Sequence, residues 1–472
     1  MSAPATDWLS QEAQGLRQAG IGEAAIAAWR AAAPRGTGDF AGDCKTYTAF
    51  WAVGKTLLTQ LPRKPVRSAT QAEAAEHLKT LAREARARFL AAHAQTVYDR
   101  LTGSRTRFVR VEQLIYDAAM LIPGLTPTRE QVQAESAHAQ RDKEGDEIDQ
   151  GIFVSAVLAQ VQAGTHLCHA MLLPRPEALA RRSEYEERGR LDLGAAEVFR
   201  KNNATYVIEK NPRHLNAEDD TTIDAAEIAV DLAILDPRTQ IGVLRGDFIQ
   251  GGKYDGRRVF GTGINLTHLY YGKVPFIWYL KRDLGIVNKF FRGLAHADIV
   301  PDDVNGRTTE KPWIAAVEQF AIGGHCQYLL TMDYVLAARG AFLSLPARKE
   351  GIIPGAANMR LPRFTGERIA RQAIMYERRL ECDSPEGRMI CDEIVEPANM
   401  DMAIERVVEN FTGSGVVSAA ANRRGFRVTQ EPLDLFRRYF AAYARDQAYC
   451  HFSPALIANL ERHWDAKNRK LG

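Results

Sequence analysis

Apolar residues Leu78, Leu81, Ala85 and Phe89 step by three and four, which puts them on one stripe of a helix. The surrounding stretch QAEAAEHLKTLAREARARFLAAHAQ is made of good helix formers, so a long amphipathic helix is predicted there. RDKEGDEID, 141–149, breaks the pattern with charge and is expected as a solvated loop. GIFVSAVLAQVQ, 151–162, resumes an apolar helix, and EYEERGR, 184–190, reads as an exposed link. Residues 1–195 are therefore expected to form a helical N-terminal domain without a chemical motif, suited to packing, assembly and covering a site.

The pattern changes near residue 197. EVFR and TYVIEK (205–210) are short β-rich runs around the polar turn KNNA. TTIDAAEIAVDLAIL, 221–235, predicts a helix with Thr222 as its N-cap. IGVLRGD (241–247) predicts a buried strand and a loop, and VFGTGINL (259–266) a strand running into a glycine turn. FIWYLKRDLGIVNKFF (276–291) predicts a helix with Phe276, Leu280, Leu284, Val287 and Phe291 on one face. WIAAVEQFAIGG (313–324) reads as a strand leading into a second glycine turn, and YLLTMDYVLAA continues as helix and strand. Alternating strands and helices mark an α/β core, assigned to 196–400. Helices return over 401–472, a region expected to serve oligomerisation and site closure; the aromatics of FRRYFAAYARDQAYCHF (436–452) are expected in a core or a subunit interface.

Composition narrows the function classes. The chain has 472 residues, 46% hydrophobic and 25% charged, a globular balance rather than a disordered one. A net charge of +3 is too small to argue for nucleic acid. The first residues have neither a basic start nor an apolar run, and no stretch reaches the length of a membrane span, so neither a signal peptide nor a membrane partner is expected. The six cysteines are scattered without a C-x-x-C pair, which reads as free thiols in a reducing cytoplasm. His166 and His169 form the only histidine cluster, read as a helix end rather than a ligand pair, so no metal site is expected.

GTGINL (261–266) and AIGGHCQ (321–327) are the segments with candidate chemistry. Each ends a β-rich run in a glycine turn that could leave a main-chain N–H pointing into a shared cleft. Two fixed N–H donors are what an enolate or tetrahedral oxyanion needs, and they cost no reorganisation during reaction. The second donor is expected at a helix N-terminus, where the dipole favours negative charge. GTGINL lacks the third glycine of a dinucleotide fingerprint.

Residues 197–400 resemble the crotonase (enoyl-CoA hydratase/isomerase) superfamily almost element by element. NPRHLNAED (211–219) is similar to its N-R-P-x-x-x-N-A segment and FGTGINL to its F-x-A-G-x-D-L segment. KPWIAAVEQFAIGGHCQYLLTMDYVLA (311–337) is similar to its K-P-x-I-A-A-V strand and glycine-rich turn. LPARKEGIIPGAANMRLPRFTGERIARQAI (345–374) is similar to its P-E-x-x-x-G-x-x-P-G segment. Gln319 stands where the family has glycine, and His325 replaces the third glycine of the turn. The resemblance implies a ββα spiral, assembled as homo-trimers or hexamers, between a helical N-terminal domain and a helical C-terminal region. It implies an oxyanion hole made by the N–H groups of Ile264 and Gly324 for an acyl-CoA thioester. The loop around Arg213 and Ala217 would approach the CoA adenine and phosphates, and Lys253, Arg257 and Arg258 form a basic patch fit for those phosphates.

A hydratase of this family delivers water with two glutamates, whose positions here hold Gln327 and Ala347. An amide exchanges no proton near neutral pH and alanine has no polar group. Glu350, three residues further on, is expected in a structural ion pair with Arg348 or another neighbour. Within the superfamily the chain most resembles the cofactor-independent dioxygenases of dihydroxyphenylglycine (glycopeptide antibiotic) biosynthesis, through NAEDD, GINL, RDLG and KEGIIPGAANMRLPRF. That resemblance implies conversion of 3,5-dihydroxyphenylacetyl-CoA and O2 to 3,5-dihydroxyphenylglyoxylate and CoA through an enolate, without metal or flavin. It implies Gln327, Glu218 and Arg282 at the ring end of an arylacetyl-CoA, with Gly263, Asn265, Asn358 and Gln447 facing the substrate. Leu266 and Ile352 would line a dry pocket for O2. The proton acceptor stays open between bound phenolate, water and His325. The alternatives are a thioesterase or isomerase using Glu350 or His325 as base, and a non-catalytic CoA-ester-binding protein.

Overall fold

The Leu78–Phe89 stripe lies on a helix spanning Ala69–Leu101, with all four side chains in the core. Ser68 and Gln71 open it with a reciprocal capping box. The protein is seen as a computed structural model that describes residues 12–301 and 307–471, so most of the segment read for a leader lies outside the described residues.

RDKEGDEID is a correction. Lys143, Glu147 and Asp149 are buried. Glu144 pairs with Arg67 (2.8 Å) and Lys79, and Asp149 with Arg86 (3.2 Å), so cations of the long helix and its lead-in compensate this anionic stretch. Glu147 also accepts the Phe276 N–H (2.6 Å), fixing the start of a core helix from the N-terminal region. Charge in the sequence signalled pairing here rather than solvation. The helix Ile148–Ala159 then packs along Leu433–His451. At Gly151 a Cβ would stand 2.5 Å from Ala448 Cβ and 2.6 Å from Ala444 O, so only glycine permits that approach. EYEERGR is the end of the helix Pro176–Arg188 and the start of the first strand, with Tyr185 buried, rather than an exposed link.

Strands β1 (Arg190–Asp192), β2 (Ala196–Lys201), β3 (Ala204–Glu209) and β4 (Ile241–Gly246) begin the main sheet. A two-stranded ribbon, β5 (Leu294–Ala295) with β6 (Thr308–Thr309), precedes β7 (Trp313–Val317) and β8 (Phe320–Ile322). β9 (Tyr334–Ala338), β10 (Phe342–Ser344), β11 (Leu380–Glu381) and β12 (Glu393–Val395) complete the set. The seven-stranded sheet runs β1-β2-β3-β4-β7-β9-β12, antiparallel up to β3 and parallel from β3 onward. A second sheet runs β11-β10-β8, with β10 and β8 parallel. The 313–324 run is thus two strands in different sheets. Gln319 makes the corner at φ 62, the left-handed region that explains glycine at this place in the family pattern.

VFGTGINL is not a strand. It touches its neighbours through single bridges, Gly261 to Ala321 and Ile264 to Glu218, which leaves part of its backbone free. The helix predicted over 276–291 is three pieces: Ile277–Lys281, a π turn Arg282–Ile286, and Val287–Arg292. Thr222 sits at the N-cap position of Ile223–Leu235, but its hydroxyl bonds back to Asp219 rather than into the helix. Helices occupy the C-terminal region, and its aromatics Phe436, Phe440 and Tyr443 are buried. No single described helix is long and apolar enough to cross a membrane.

Candidate active site

The two glycine turns meet. A Cβ on Gly263 would stand 2.6 Å from the Gly324 nitrogen, so the loops touch backbone to backbone. Gly263 has φ 72 and Gly323 φ 56, conformations that glycine adopts without strain. In the parallel bridge, Glu218 donates to Gly263 O (2.7 Å) and accepts from Asn265 N–H (2.7 Å). The intervening Ile264 amide therefore points away from Glu218. Gly323 N–H donates to Ser344 O (2.8 Å), which anchors the second turn. Among the described residues, neither the Ile264 nor the Gly324 N–H has a protein acceptor. The helix beyond the turn, Gly324–Leu329, has six residues, so this donor is a local amide rather than the end of a long dipole.

Ile264, Gly323 and Gly324 line one cleft of about 390 Å³. Its other walls are Trp278, Tyr279, Arg282 and Asp283 from the broken helix, Gln327, and Tyr443 from the C-terminal helix. Leu345, Ala347, Glu350, Ile352, Ile353, Pro354 and Gly355 close it. The glycine turns could be found by sequence pattern. Trp278, Tyr279 and Tyr443 carry no motif, and Asp283 lies in RDLG without being singled out there as a site residue.

Arg282 organises the floor. Its Nε donates to Glu218 (2.7 Å), Nη1 to Asp283 and Gln327 Oε1 (both 3.0 Å), and Nη2 to Gly324 O (2.7 Å). The π turn presents Arg282 and Asp283 side by side. Gln327 spends its carbonyl on Arg282, which leaves its NH2 as a donor. Glu218 does not line this cleft. It lies behind Arg282 and Gly324, taking a second bond from Tyr328 OH (2.6 Å) on Oε1, while Oε2 has no hydrogen-bond partner among the described residues and stands 3.7 Å from His325 Nδ1. Burial pushes the Glu218 carboxyl up, but the Arg282 guanidinium and the Tyr328 hydroxyl outweigh it and hold it below the usual carboxylate range. A Cβ at Gly324 would meet Glu218 Oε2 at 2.3 Å, so this packing demands glycine.

His325 does not line the cleft. Its Nδ1 accepts the Gly263 N–H (2.9 Å), its Nε2 pairs with Glu209 (3.0 Å), and the ring is buried against Gly261. Both nitrogens are thus committed to holding the first turn, which removes His325 as a base. Glu350 corrects another expectation. Arg348 and Lys349 both reach Glu377, and Glu350 is buried and faces the cleft with no ion pair among the described residues. Burial alone pushes its carboxyl up to about 7.

A larger cleft of about 1280 Å³ opens on the other side of Ile264, which lines both. Arg213, Ala217, Lys253, Asn265 and Leu266 line it, together with Trp464 and Arg469, which sequence reasoning did not single out. Arg257 and Arg258 do not. Arg257 is exposed, and Arg258 donates to Gly246 O (2.9 Å) over the Phe248 ring. Leu266 and Ile352 lie in different clefts, so the structure does not join them in one pocket. Asn265 is occupied by His268 N–H (3.2 Å) and Asp219 (2.9 Å). Asn358 is exposed and outside both clefts. Gln447 is buried behind Ile353, whose N–H it accepts (2.7 Å). His166 bonds Tyr98 and Arg105 O, and His169 bonds His296 O. No described cluster of three His, Cys, Asp or Glu side chains could hold a metal.

Comparison with known proteins gives this geometry a family. Residues 305–424 match the enoyl-CoA hydratase/isomerase family. A (3,5-dihydroxyphenyl)acetyl-CoA 1,2-dioxygenase from Amycolatopsis orientalis is 45% identical over 393 residues, 83% of this chain and 89% of that protein. A carnitinyl-CoA dehydratase from Salmonella typhi is 26% identical over 202 residues, 42% of this chain and 69% of its own length. Among solved structures, an enoyl-CoA hydratase from Mycobacterium avium subsp. paratuberculosis K-10 aligns over 57% of this chain and 98% of its own, at 18% identity and a TM-score of 0.47. The chain belongs to the enoyl-CoA hydratase/isomerase, or crotonase, superfamily.

Proposed function

We propose that the protein is a cofactor-independent dioxygenase that converts 3,5-dihydroxyphenylacetyl-CoA and O2 to 3,5-dihydroxyphenylglyoxylate and CoA. The observation that carries this reading is a pair of unengaged amides, Ile264 and Gly324, on a cleft where Gln327 and Ala347 replace the hydratase acid and base. The 45% identity to the Amycolatopsis orientalis dioxygenase supports the same chemistry. In this account the thioester oxygen lies between the two amides, which take up negative charge as the α-proton leaves. The enolate, spread into an electron-rich ring, reduces O2 directly. The peroxide at the α-carbon attacks the thioester and expels CoA. O–O cleavage with loss of the second α-proton gives the keto acid, so all atoms of substrate and O2 are accounted for.

Arg282, Asp283 and Gln327 would meet the ring hydroxyls, with Glu218 holding Arg282 in place. Ile352 and Ile353 would give O2 an apolar wall. The CoA nucleotide would lie in the larger cleft by Arg213, Lys253 and Arg469. A homo-trimer or hexamer acting in the cytoplasm completes the proposal.

The test is to mix the purified protein with 3,5-dihydroxyphenylacetyl-CoA under chelator and follow O2 and free thiol. Coupled O2 loss and CoA release is expected. Thiol release without O2 loss would favour a thioesterase, a reading that Glu350 in the cleft makes chemically reasonable. No release at all would leave a binding protein.

A further inference from the structure

We propose that Glu350 is the group that takes the α-proton, an inference that rests on the function proposed above. Glu350 ends the short helix Ala347–Glu350 and lines the cleft with Ile264, Gly323 and Gly324. Its Oε1 lies 3.8 Å from a Cβ built on Gly323, so the carboxyl sits beside the turn that carries the Gly324 amide. A thioester oxygen held by the two amides places its α-carbon in the same small space.

The other groups in or beside the cleft are unavailable for proton transfer. His325 has both nitrogens bonded and sits behind the turn. Asp283 is tied to Arg282 at 3.0 Å. Gln327 is an amide. Tyr279 and Tyr443 are phenols whose pKa burial pushes well up. Arg282 lines the cleft and spends donors on Glu218, Asp283, Gln327 and Gly324 O. Glu350 alone among these is a carboxyl with no cation holding it ionised, because Arg348 and Lys349 turn away to Glu377. Desolvation brings it to about 7, where an acceptor is both ionised in part and basic enough to act near neutral pH.

The step balances. The α-C–H bond breaks, its electron pair enters the enolate, and the proton moves to a Glu350 oxygen. Once the thioester opens, the same proton can pass to the departing CoA thiolate, which restores the carboxylate.

Glu350→Gln keeps the shape and removes the acceptor. Two readouts are needed: deuterium exchange at the substrate α-carbon without O2, and O2 uptake in air. In the variant, both should fall on the order of 10² to 10⁴, while substrate KM moves less than about threefold. Glu350→Asp should recover part of the rate. The wild-type rate should rise with pH through about 7, because the acceptor must be ionised, and this rise should vanish in Glu350→Gln. Unchanged thermal unfolding guards against a folding defect. Wild-type exchange and O2 uptake in Glu350→Gln would overturn the proposal and hand the role to water or the substrate phenolate. Failure of the wild-type protein itself to take up O2 would overturn the functional reading as well.

Discussion

One wall of the inner cleft is main chain: Ile264, Gly323 and Gly324, clamped through Gly263 to Glu218 and His325 and through Gly323 to Ser344. The other wall is side chain: Trp278, Tyr279, Asp283, Glu350 and Tyr443, brought from three separate parts of the chain. The main-chain wall offers fixed donors whatever the neighbouring side chains are. The side-chain wall can change without moving those donors. That division lets a hydratase-like cradle serve different chemistry once Gln327 and Ala347 stand at the acid and base positions.

Gly324→Ala attacks the main-chain wall directly. The new Cβ would stand 2.3 Å from Glu218 Oε2 and 2.8 Å from Arg282 Nη2, so the amide must move. Turnover should fall by at least about 10³, read as kcat/KM from O2 uptake. Near-normal turnover would mean that the Gly324 amide is not used.

Arg282→Lys attacks the hinge between the walls. One ammonium cannot reproduce the four bonds to Glu218, Asp283, Gln327 and Gly324 O. Activity should fall by about 10² and stability by roughly 3 kcal/mol, measured by urea unfolding, because the buried Glu218 and Asp283 carboxylates can no longer both be bonded by one side chain. Equal loss in both walls would be seen as a changed kcat and a changed KM together.

The acid limb of stability tests a buried charge cluster outside both walls, in which Glu431 pairs with Arg360, Arg363 and Arg292. Burial alone would raise the Glu431 carboxyl, but Arg360, Arg292 and Arg363 outweigh it and hold it at about 2. Its folded pKa lies below the unfolded one, so its contribution is present above about 4.5 and is lost as pH falls toward 2. Glu431→Gln should therefore cost about 3 kcal/mol at neutral pH, with the gap to wild type closing between those values. A gap independent of pH would contradict the assignment.

His325 should give the smallest effect, because it positions a donor without touching substrate. Removing its acceptor with His325→Leu should lower kcat by about tenfold with KM little changed. His325→Asn, whose Oδ1 can accept the Gly263 N–H, should restore most of it. A change in the pH profile would instead mark His325 as a proton carrier.

The main-chain wall was legible in the sequence because its constraint is local. A left-handed turn and a backbone-to-backbone approach both demand glycine, and Gly263, Gly323 and Gly324 announce them. The same logic run backwards explains Gln319, a non-glycine held at φ 62. The side-chain wall was legible only in part. Arg282 was singled out, but the π turn beneath it leaves the helical period of its sequence unbroken. Glu350 misled because Arg348 and Lys349 precede it, and only the fold sends those cations to Glu377. The charged run 141–149 misled for a related reason: its compensating cations lie in the long helix before it and its lead-in. Tyr443 could not be placed, since its arrival depends on the close packing of two distant helices at Gly151.

The central claim is that two backbone amides hold the thioester oxygen. A crystal structure with an arylacetyl-CoA analogue, its thioester sulfur replaced by CH2, measures this directly. The account predicts the carbonyl oxygen at about 2.7–3.1 Å from both the Ile264 and Gly324 nitrogens, with the α-carbon beside Glu350. A carbonyl bound elsewhere, or touching only one of the two nitrogens, would contradict it.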